Sequence, residues 1–139
     1  MQALYTARAH ATGGREGSAA SDNGAVDVTL TTPKELGGNG APGANPEQLF
    51  AAGYAACFHS ALNMVAKDKG ADVTDSAVGA RVTLNNGSEG FFISVELEVT
   101  IPSVDKETAQ ALADAAHEAC PYSKATRGNI DVTVTVAQD

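Results

Sequence analysis

Basic residues are scarce in this sequence of 139 residues. It contains 9 Lys and Arg against 17 Asp and Glu, which gives a formal net charge of −8 at pH 7. An acidic chain repels phosphate backbones and anionic lipid head groups, and it offers neither of them a basic patch. We therefore expect neither nucleic acid nor a membrane surface as a partner.

Targeting and membrane-spanning patterns are also missing from the sequence. The N-terminal stretch MQALYTARAHATGG has no apolar core followed by a cleavage site, and no apolar run reaches the length that a membrane span needs. Internal repeats, low-complexity tracts and linkers are absent as well. These absences predict a single domain over residues 1–139 and a cytoplasmic location.

The sequence has few residues that could hold a metal. Its two cysteines, Cys57 and Cys120, match neither a CxxC redox pair nor a zinc-binding spacing. The three histidines, His10, His59 and His117, show no ligand spacing, and we interpret them as surface or packing residues. We expect no metal, no bound cofactor and, in a reducing compartment, no structural disulfide.

Alternation of apolar and polar residues, together with turn signals, predicts an α+β fold of about six strands and two main helices. The interpretation is of antiparallel sheets packed on a long buried central helix. An N-terminal strand pair that precedes a long loop has little core of its own, so we expect it to dock on other strands, with a second copy of the chain as a plausible source. The predicted strands cover residues 4–11, 17–21, 26–31, 76–85, 91–101 and 130–136, the helices cover 45–66 and 105–119, and a Gly- and Pro-rich loop covers 32–44.

The central helix, residues 45–66, is apolar nearly all the way round, which predicts that it is buried. Asn45 can cap its free amides, and Pro46 suits the first helical position. At 100° per residue, Cys57 lies on a core-facing stripe bordered by small residues, which leave room beside its sulfur. The members of that stripe are Phe50, Gly53, Tyr54, Ala61 and Met64.

The second helix, residues 105–119, is amphipathic, and we expect Pro121 to end it. Its predicted inner side consists of Ala109, Leu112, Ala116 and Ala119. Cys120 would then follow the last turn, where the negative end of the helix dipole opposes a thiolate. We expect Cys120 to be a poor nucleophile when it is alone.

Cys57 has two open interpretations. It is either a small buried hydrophobic residue or a reactive thiol, and burial would raise the pKa of a reactive thiol unless a cation lay against it. The candidate cations are Arg8, Arg15, Arg81 and Arg127. Arg15 stands in the Gly-bounded segment GGREG, which could fold closely over another element, although a solvated loop arginine remains the alternative.

Glu47 is the carboxylate that such an arginine would need in a dry pocket. At the second position of the predicted helix, Glu47 also suits the positive end of the helix dipole, which is a purely structural explanation. Ten residues at 1.5 Å would separate Glu47 from Cys57 by about 15 Å along a continuous helix. A single site would therefore need a bend near Gly53 and the long side chain of Arg15.

Three segments carry a resemblance to a known family. HATGGREG around Arg15, NPEQLFAAGYAACFHSAL around Cys57 and ACPYSKATRGNIDVTV around Cys120 resemble those of the organic hydroperoxide resistance proteins. These proteins form a branch of the family that also contains osmotically inducible protein C. The resemblance extends over essentially the whole chain and is closer to the hydroperoxide branch.

The resemblance implies a metal-free cysteine peroxidase that forms an intertwined homodimer with its active sites at the subunit interface. It further implies that Cys57 is the peroxidatic cysteine, Cys120 the resolving cysteine, and Arg15 with Glu47 the pair that activates Cys57. It also implies organic hydroperoxides as substrates and lipoyl groups carried by other proteins as the reductant. An apolar stripe beside the sulfur suits alkyl or lipid-like hydroperoxides.

Two alternatives stand beside this interpretation. One is a peroxidase of the osmotically inducible protein C type, with another substrate preference or reductant. The other is a non-enzymatic binding domain, in which both cysteines are packing residues that react slowly with peroxide and never bond to each other.

Overall fold

The computed structural model describes residues 1–138 and contains two compact units. The first is Met1–Leu49 and the second begins at Phe50. Strands and helices occur together in the chain, so the predicted α+β class is confirmed. The prediction of a single domain stays a prediction.

The first unit contains a three-stranded antiparallel sheet in the order β1, β2, β3. Its strands are β1, Ala9–Thr12, β2, Ser18–Ser21, and β3, Asp27–Thr29. The prediction of a strand over residues 4–11 is wrong at its start, because residues 4–8 are exposed and have no strand pairing within the sheet. The predicted strand 26–31 ends early because Leu30 forms an isolated parallel bridge with Ala44 instead.

Two short 3-10 helices, Gly14–Glu16 and Lys34–Leu36, lie in the connections of this unit. The first joins β1 to β2 and contains Arg15. The second lies in the predicted loop 32–44, which is otherwise irregular.

Helix α1, Pro46–Lys69, begins where the sequence predicts and continues three residues beyond the predicted end at Ala66. The Asn45 carboxamide oxygen accepts from the Gln48 amide at 2.9 Å, and the Gln48 side chain accepts from the Asn45 amide at 3.2 Å. This reciprocal cap satisfies two amides at the helix start. Gly70 follows the last helical residue, and its φ of 68° is the left-handed conformation expected there.

The prediction that α1 is buried all round is wrong for the single chain. Only one face lies in the core, and Met64, a member of the predicted Cys57 stripe, is 53% exposed. By length and composition the helix could also cross a membrane, which corrects the expectation that no stretch is long enough. The core helix of a water-soluble protein meets the same criterion. The buried residues are Tyr54, Phe58, Ala61, Leu62 and Ala66.

The second unit contains a mixed three-stranded sheet with β5 in the centre. Strands β4, Ala77–Gly87, and β5, Gly90–Thr100, form the predicted antiparallel hairpin, whereas β6, Val132–Val136, pairs with β5 in parallel. The prediction of antiparallel sheets holds for the other strand pairs described and is wrong for β6. Helices lie between β5 and β6 in the sequence, and a crossover of this kind allows two strands to run in parallel.

Helix α2, Lys106–Ala119, starts at Asp105, whose carboxylate accepts from the Thr108 amide at 2.7 Å. Its inner face follows the helical period through to Cys120, so Ala119, which was expected inside, is exposed. The buried residues of α2 are Ala109, Leu112, Ala113 and Ala116. They pack in one cluster with the buried face of α1 and with Val95, Leu97 and Val99 of β5.

A third helix, α3, Pro121–Thr126, was not predicted. Pro121 does end α2, but it also occupies the first position of α3, where its missing N–H costs nothing. Cys120 is therefore the single residue between the end of α2 and the start of α3. Its amide donates to the Ala116 carbonyl at 2.8 Å, and its carbonyl accepts from the Lys124 amide at 3.0 Å.

Candidate active site

The two cysteines, distant in the sequence, lie against each other in the second unit. Cys57 is in the middle of α1, and Cys120 is at the junction of α2 and α3. Their sulfur atoms are 3.7 Å apart and both thiols are free. Cys120 is fully buried and Cys57 is half-buried. A disulfide needs a sulfur separation of about 2.05 Å, so a small movement suffices to join them.

The surroundings of Cys57 have opposing effects on its acidity. Burial raises the pKa of the Cys57 thiol, a backbone hydrogen bond from Tyr122 lowers it, and the adjacent Cys120 raises it again. The net direction is upward. Tyr122 is in the first turn of α3, so the start of that helix contributes to the surroundings of Cys57 although Cys57 itself lies in the middle of α1.

The predicted arginine and carboxylate form an ion pair in the first unit. The two guanidinium nitrogens of Arg15 donate to the two carboxylate oxygens of Glu47 at 2.6 Å and 3.0 Å. The Arg15 side chain is 33% exposed and that of Glu47 18%. The hydrogen bonds from Arg15 lower the pKa of Glu47, and the same bonds raise the pKa of Arg15. Arg15 is therefore a paired arginine and not a solvated one.

Two glycines allow the turn that carries Arg15. Gly13 has a φ of 76°, a conformation that L side chains rarely adopt. At Gly17 an added Cβ would lie 1.8 Å from the carbonyl oxygen of Thr12, which is backbone and cannot move aside. The segment GGREG therefore folds tightly because glycine occupies both ends.

The other candidate arginines have less well defined partners. Arg81 lies 3.5 Å from Glu96 with both side chains largely exposed, and Arg127 lies 3.6 Å from Glu118. Arg8 is exposed. Of these arginines, Arg15 alone has a bidentate carboxylate among the contacts described for residues 1–138.

Sequence reasoning missed a buried network of hydroxyl groups beside the thiols. The Tyr54 hydroxyl lies 2.8 Å from Ser123 Oγ and 3.1 Å from Thr126 Oγ1, and His117 Nδ1 lies 2.7 Å from the same Ser123 oxygen. Burial, followed by the charge of Arg127, lowers the pKa of His117. The available signal was spacing, since Tyr54 and Ser123 each stand three residues from a cysteine.

Aromatic rings pack around the start of α3. The ring centroids of Tyr54 and Tyr122 are 5.6 Å apart, and Phe50 lies 6.0 Å and 6.1 Å from them. A Cβ added at Gly53 would lie 3.1 Å from the Tyr122 hydroxyl. The small residue on the cysteine stripe thus makes room for the Tyr122 ring.

A largely apolar cavity of about 640 Å³ adjoins the start of α3. Its lining includes Pro121 and Tyr122, which directly follow Cys120 in the sequence. Such a volume accommodates a small organic molecule. The cavity is lined by Phe50, Ile93, Pro121, Tyr122, Ala125, Thr126, Asn129 and Ile130.

The described part of the chain, residues 1–138, contains no group of three His, Cys, Asp or Glu side chains placed to hold a metal ion. The expectation that the protein binds no metal or cofactor stays a prediction. The chemistry available from the residues themselves is that of thiols, because two free thiols in contact can be oxidised to a disulfide and reduced again.

Comparison with known proteins gives consistent matches. A model of the family described as OsmC-like protein matches residues 37–135. The organic hydroperoxide resistance protein of Xanthomonas axonopodis pv. citri is 55% identical over 135 residues, covering 96% of this chain and 95% of the relative. The organic hydroperoxide resistance protein OhrB of Bacillus subtilis is 50% identical over 132 residues, covering 94% and 96%.

A solved structure is similar over the whole length of the chain. The crystal structure of an organic hydroperoxide resistance protein from Elizabethkingia anophelis, with crystallant-derived thiocyanate bound, matches with a TM-score of 0.93. The two chains are 49% identical, and the match covers 100% of each. The chain is thus similar in sequence and in fold to proteins of this one kind.

Proposed function

The chain belongs to the OsmC-like family, within which it is an organic hydroperoxide resistance protein of the peroxidase type, and from this premise we propose how its own residues perform the reaction. The proposal is that Cys57 reduces an organic hydroperoxide to the alcohol and that Cys120 then closes a disulfide with it. The single observation that carries this proposal is the contact of the two free sulfur atoms at 3.7 Å.

The first step is a two-electron oxidation of Cys57. Its thiolate attacks one peroxide oxygen, the O–O bond breaks, and the departing alkoxide takes a proton to leave as the alcohol. Cys57 becomes a sulfenic acid.

The second step closes the disulfide. The sulfur of Cys120 attacks the sulfur of Cys57, the S–O bond breaks, and the hydroxyl leaves with a proton as water. Because Cys120 is fully buried beside Cys57, it is positioned to react before a second peroxide does. The disulfide protects Cys57 from the irreversible acids.

We assign the activation of Cys57 to Arg15, held by Glu47. Burial raises the pKa of the Cys57 thiol, so a thiolate at neutral pH requires a nearby cation. Support for Arg15 comes from the family resemblance and from its bidentate pairing with Glu47, which orients the guanidinium. The assignment predicts that charge at position 15 controls the rate of the first step.

We propose alkyl or lipid-like hydroperoxides as the substrates of this site. The apolar cavity at the start of α3 can bury an alkyl tail, and each buried methylene favours binding by about 0.8 kcal/mol. Hydrogen peroxide has no apolar surface to bury. Rates should therefore rise with the length of the alkyl group at a fixed peroxide concentration.

We further propose lipoyl dithiols, carried by lipoylated proteins, as the reductant. A disulfide containing the fully buried Cys120 is poorly accessible to a folded partner, whereas a lipoyl arm is narrow and largely apolar. The second thiol of the arm is tethered beside the first, so it resolves the mixed disulfide at high effective concentration. This chemistry requires a compartment that keeps thiols reduced, in accord with a cytoplasmic location.

We propose that the protein works as a homodimer. Helix α1 is apolar on faces that the single chain leaves open, as at Met64, and Phe91 in β5 is 74% exposed. We take these exposed apolar side chains as parts of the surface that the second copy covers. Light scattering at micromolar concentration should give twice the mass of one chain.

The experiment that tests the proposed function is intact-mass analysis after one equivalent of cumene hydroperoxide. We expect a loss of two hydrogens with one equivalent of alcohol formed, and peptide mapping should join Cys57 to Cys120. Cys57→Ser should remain unoxidised, and Cys120→Ser should show an added oxygen at Cys57. A wild-type mass that does not change would instead support a non-enzymatic binding domain.

A further inference from the structure

The buried hydroxyl network connects the three helices that surround the thiol pair. Tyr54 is on α1, His117 is on α2 and Ser123 is on α3. Ser123 Oγ is the shared atom, 2.8 Å from the Tyr54 hydroxyl and 2.7 Å from His117 Nδ1. A single oxygen therefore joins all three helices.

Each member of the network is close to a cysteine along its helix or chain. Tyr54 precedes Cys57 by three residues on α1, while His117 precedes and Ser123 follows Cys120 by three. Three residues are about one helical turn, so the backbone of each member lies about 5 Å along the chain axis from the backbone that carries a sulfur. The network thus constrains the two cysteine-bearing backbones relative to each other.

The two bonds of the Tyr54 hydroxyl, to Ser123 and Thr126, are buried, which makes them costly to break. Ser123 and Tyr54 are fully buried, and Thr126 is 5% exposed. A buried polar group that loses its partner cannot turn to water for a replacement. Removal of the Ser123 hydroxyl would take one bond from the fully buried Tyr54 hydroxyl and one from the half-buried His117, and we expect the helices to shift to compensate.

We propose that Ser123 is a positioning residue for the resolving step: through Tyr54 and His117 it holds the Cys120 sulfur at the sulfur of Cys57. The inference rests on the proposed function, since it assigns a role in the closure of the Cys57–Cys120 disulfide. Ser123 touches neither sulfur among the contacts described. Its effect is on the geometry of the attack, in which the S–O bond of the sulfenic acid breaks as the S–S bond forms.

The consequence is a change in the fate of the sulfenic acid. Once formed, it either reacts with Cys120 to give the disulfide or with a second hydroperoxide to give the sulfinic acid. The ratio of these products depends on the rate of disulfide closure and on the peroxide concentration, and it does not depend on how fast the sulfenic acid forms. The ratio therefore isolates the positioning of Cys120.

The experiment is a titration of the full-length reduced protein with cumene hydroperoxide, with mass spectrometry of the products. Ser123→Ala should raise the ratio of sulfinic acid to disulfide about tenfold, since a misplacement of about 1 Å can slow an intramolecular reaction this much or more. Tyr54→Phe removes one hydroxyl and keeps the ring, which packs on Phe50 and Tyr122, so it should fold and raise the ratio by a smaller factor.

The matched control is Ser76→Ala. It also removes a hydrogen bond between a serine and a histidine, because Ser76 Oγ lies 2.9 Å from Nε2 of His59 on α1. A general loss of stability would change the ratio of sulfinic acid to disulfide alike in Ser123→Ala and Ser76→Ala. A positioning role would raise this ratio in Ser123→Ala and Tyr54→Phe but not in Ser76→Ala. Melting temperatures of all variants should be compared, and the titration run well below the lowest of them.

The outcomes separate the inference from the function it rests on. If wild-type protein forms no Cys57–Cys120 disulfide, the proposed function itself is wrong. A second outcome is that wild type forms the disulfide and that Tyr54→Phe and Ser123→Ala give the same ratio of sulfinic acid to disulfide as wild type. In that case the positioning role is refuted and the proposed function stands. The role is refuted equally if Ser76→Ala raises the ratio as much as Ser123→Ala does.

Discussion

Replacement of Glu47 by glutamine removes a charge from the Arg15 pair and keeps the size of the side chain. One oxygen of the new amide can still accept from Arg15, but its NH₂ group would face a guanidinium nitrogen that now lies 3.0 Å from a carboxylate oxygen. Two donors cannot bond to each other. The substitution therefore breaks one of the two bonds and weakens the other.

The magnitude follows from the exposure of the pair. Fully exposed ion pairs contribute about 0–1 kcal/mol, and a buried pair that loses one partner costs about 3–5 kcal/mol. With side-chain exposures of 33% and 18%, the Arg15–Glu47 pair is intermediate. We expect Glu47→Gln to lower the free energy of unfolding by about 1–2 kcal/mol at pH 7.

The effect should depend on pH in a defined direction. The pKa of Glu47 is lowered in the folded protein, so the pair contributes its full stability above the pKa of the unfolded chain, about 4.3. That contribution is lost as the pH falls through the folded pKa, because the wild-type carboxylate becomes protonated. The difference between wild type and Glu47→Gln should therefore shrink as the pH falls below about 4.

Urea denaturation at pH 7 and at pH 3.5 measures this difference. Glu96→Gln is the matched control, because it breaks an ion pair with Arg81 whose side chains are 64% and 84% exposed. That variant should lose little stability at either pH. Equal losses in the two variants, or a Glu47→Gln effect that is the same at both pH values, would refute the reasoning.

Four further changes test other parts of the site. Arg15→Ala should raise the pKa of Cys57 and slow its oxidation, and Arg15→Lys should be impaired as well because it loses the planar fork; stopped-flow thiol oxidation across a pH series measures both. Gly17→Ala should disrupt the Arg15 turn and reduce peroxidase activity, whereas Gly79→Ala, where an added Cβ meets nothing within 4 Å, should not. Cys120→Ser should become overoxidised at Cys57 under excess peroxide, as mass spectrometry would show. Dihydrolipoamide should support much faster steady-state turnover than glutathione or thioredoxin at equal thiol concentration; comparable rates for thioredoxin would contradict the narrow-access argument.

Features that depend on neighbouring residues in the sequence were well predicted. The cap at Asn45 and the left-handed stop at Gly70 arise from a few adjacent residues, and both are present. The same applies to the turn around Arg15, whose glycines restrict its path. Local signals succeed here because the groups that satisfy each other are only a few residues apart.

Features that depend on distant partners were predicted less well. Alternation in residues 130–136 indicates a strand but is the same for parallel and antiparallel pairing, so the parallel partner of β6 could not be read from it. Proline at position 121 is compatible both with the end of one helix and with the start of the next. The sequence contains no signal that decides between these possibilities, because tertiary contacts do.

The active site shows the same difference between features set by neighbouring residues and features set by distant ones, and the pair of thiols is the example. Spacing alone left Cys57 without a partner, and only the family resemblance joined it to Cys120, which the structure places 3.7 Å away. The predicted effect of burial on Cys57 is nevertheless confirmed. Burial raises the pKa of its thiol, and the hydrogen bond from the Tyr122 backbone does not cancel this rise. A thiol in that condition is a poor nucleophile at neutral pH. The need for a cation therefore follows from the surroundings of Cys57, while the choice of Arg15 rests on the resemblance and on the carboxylate that holds it.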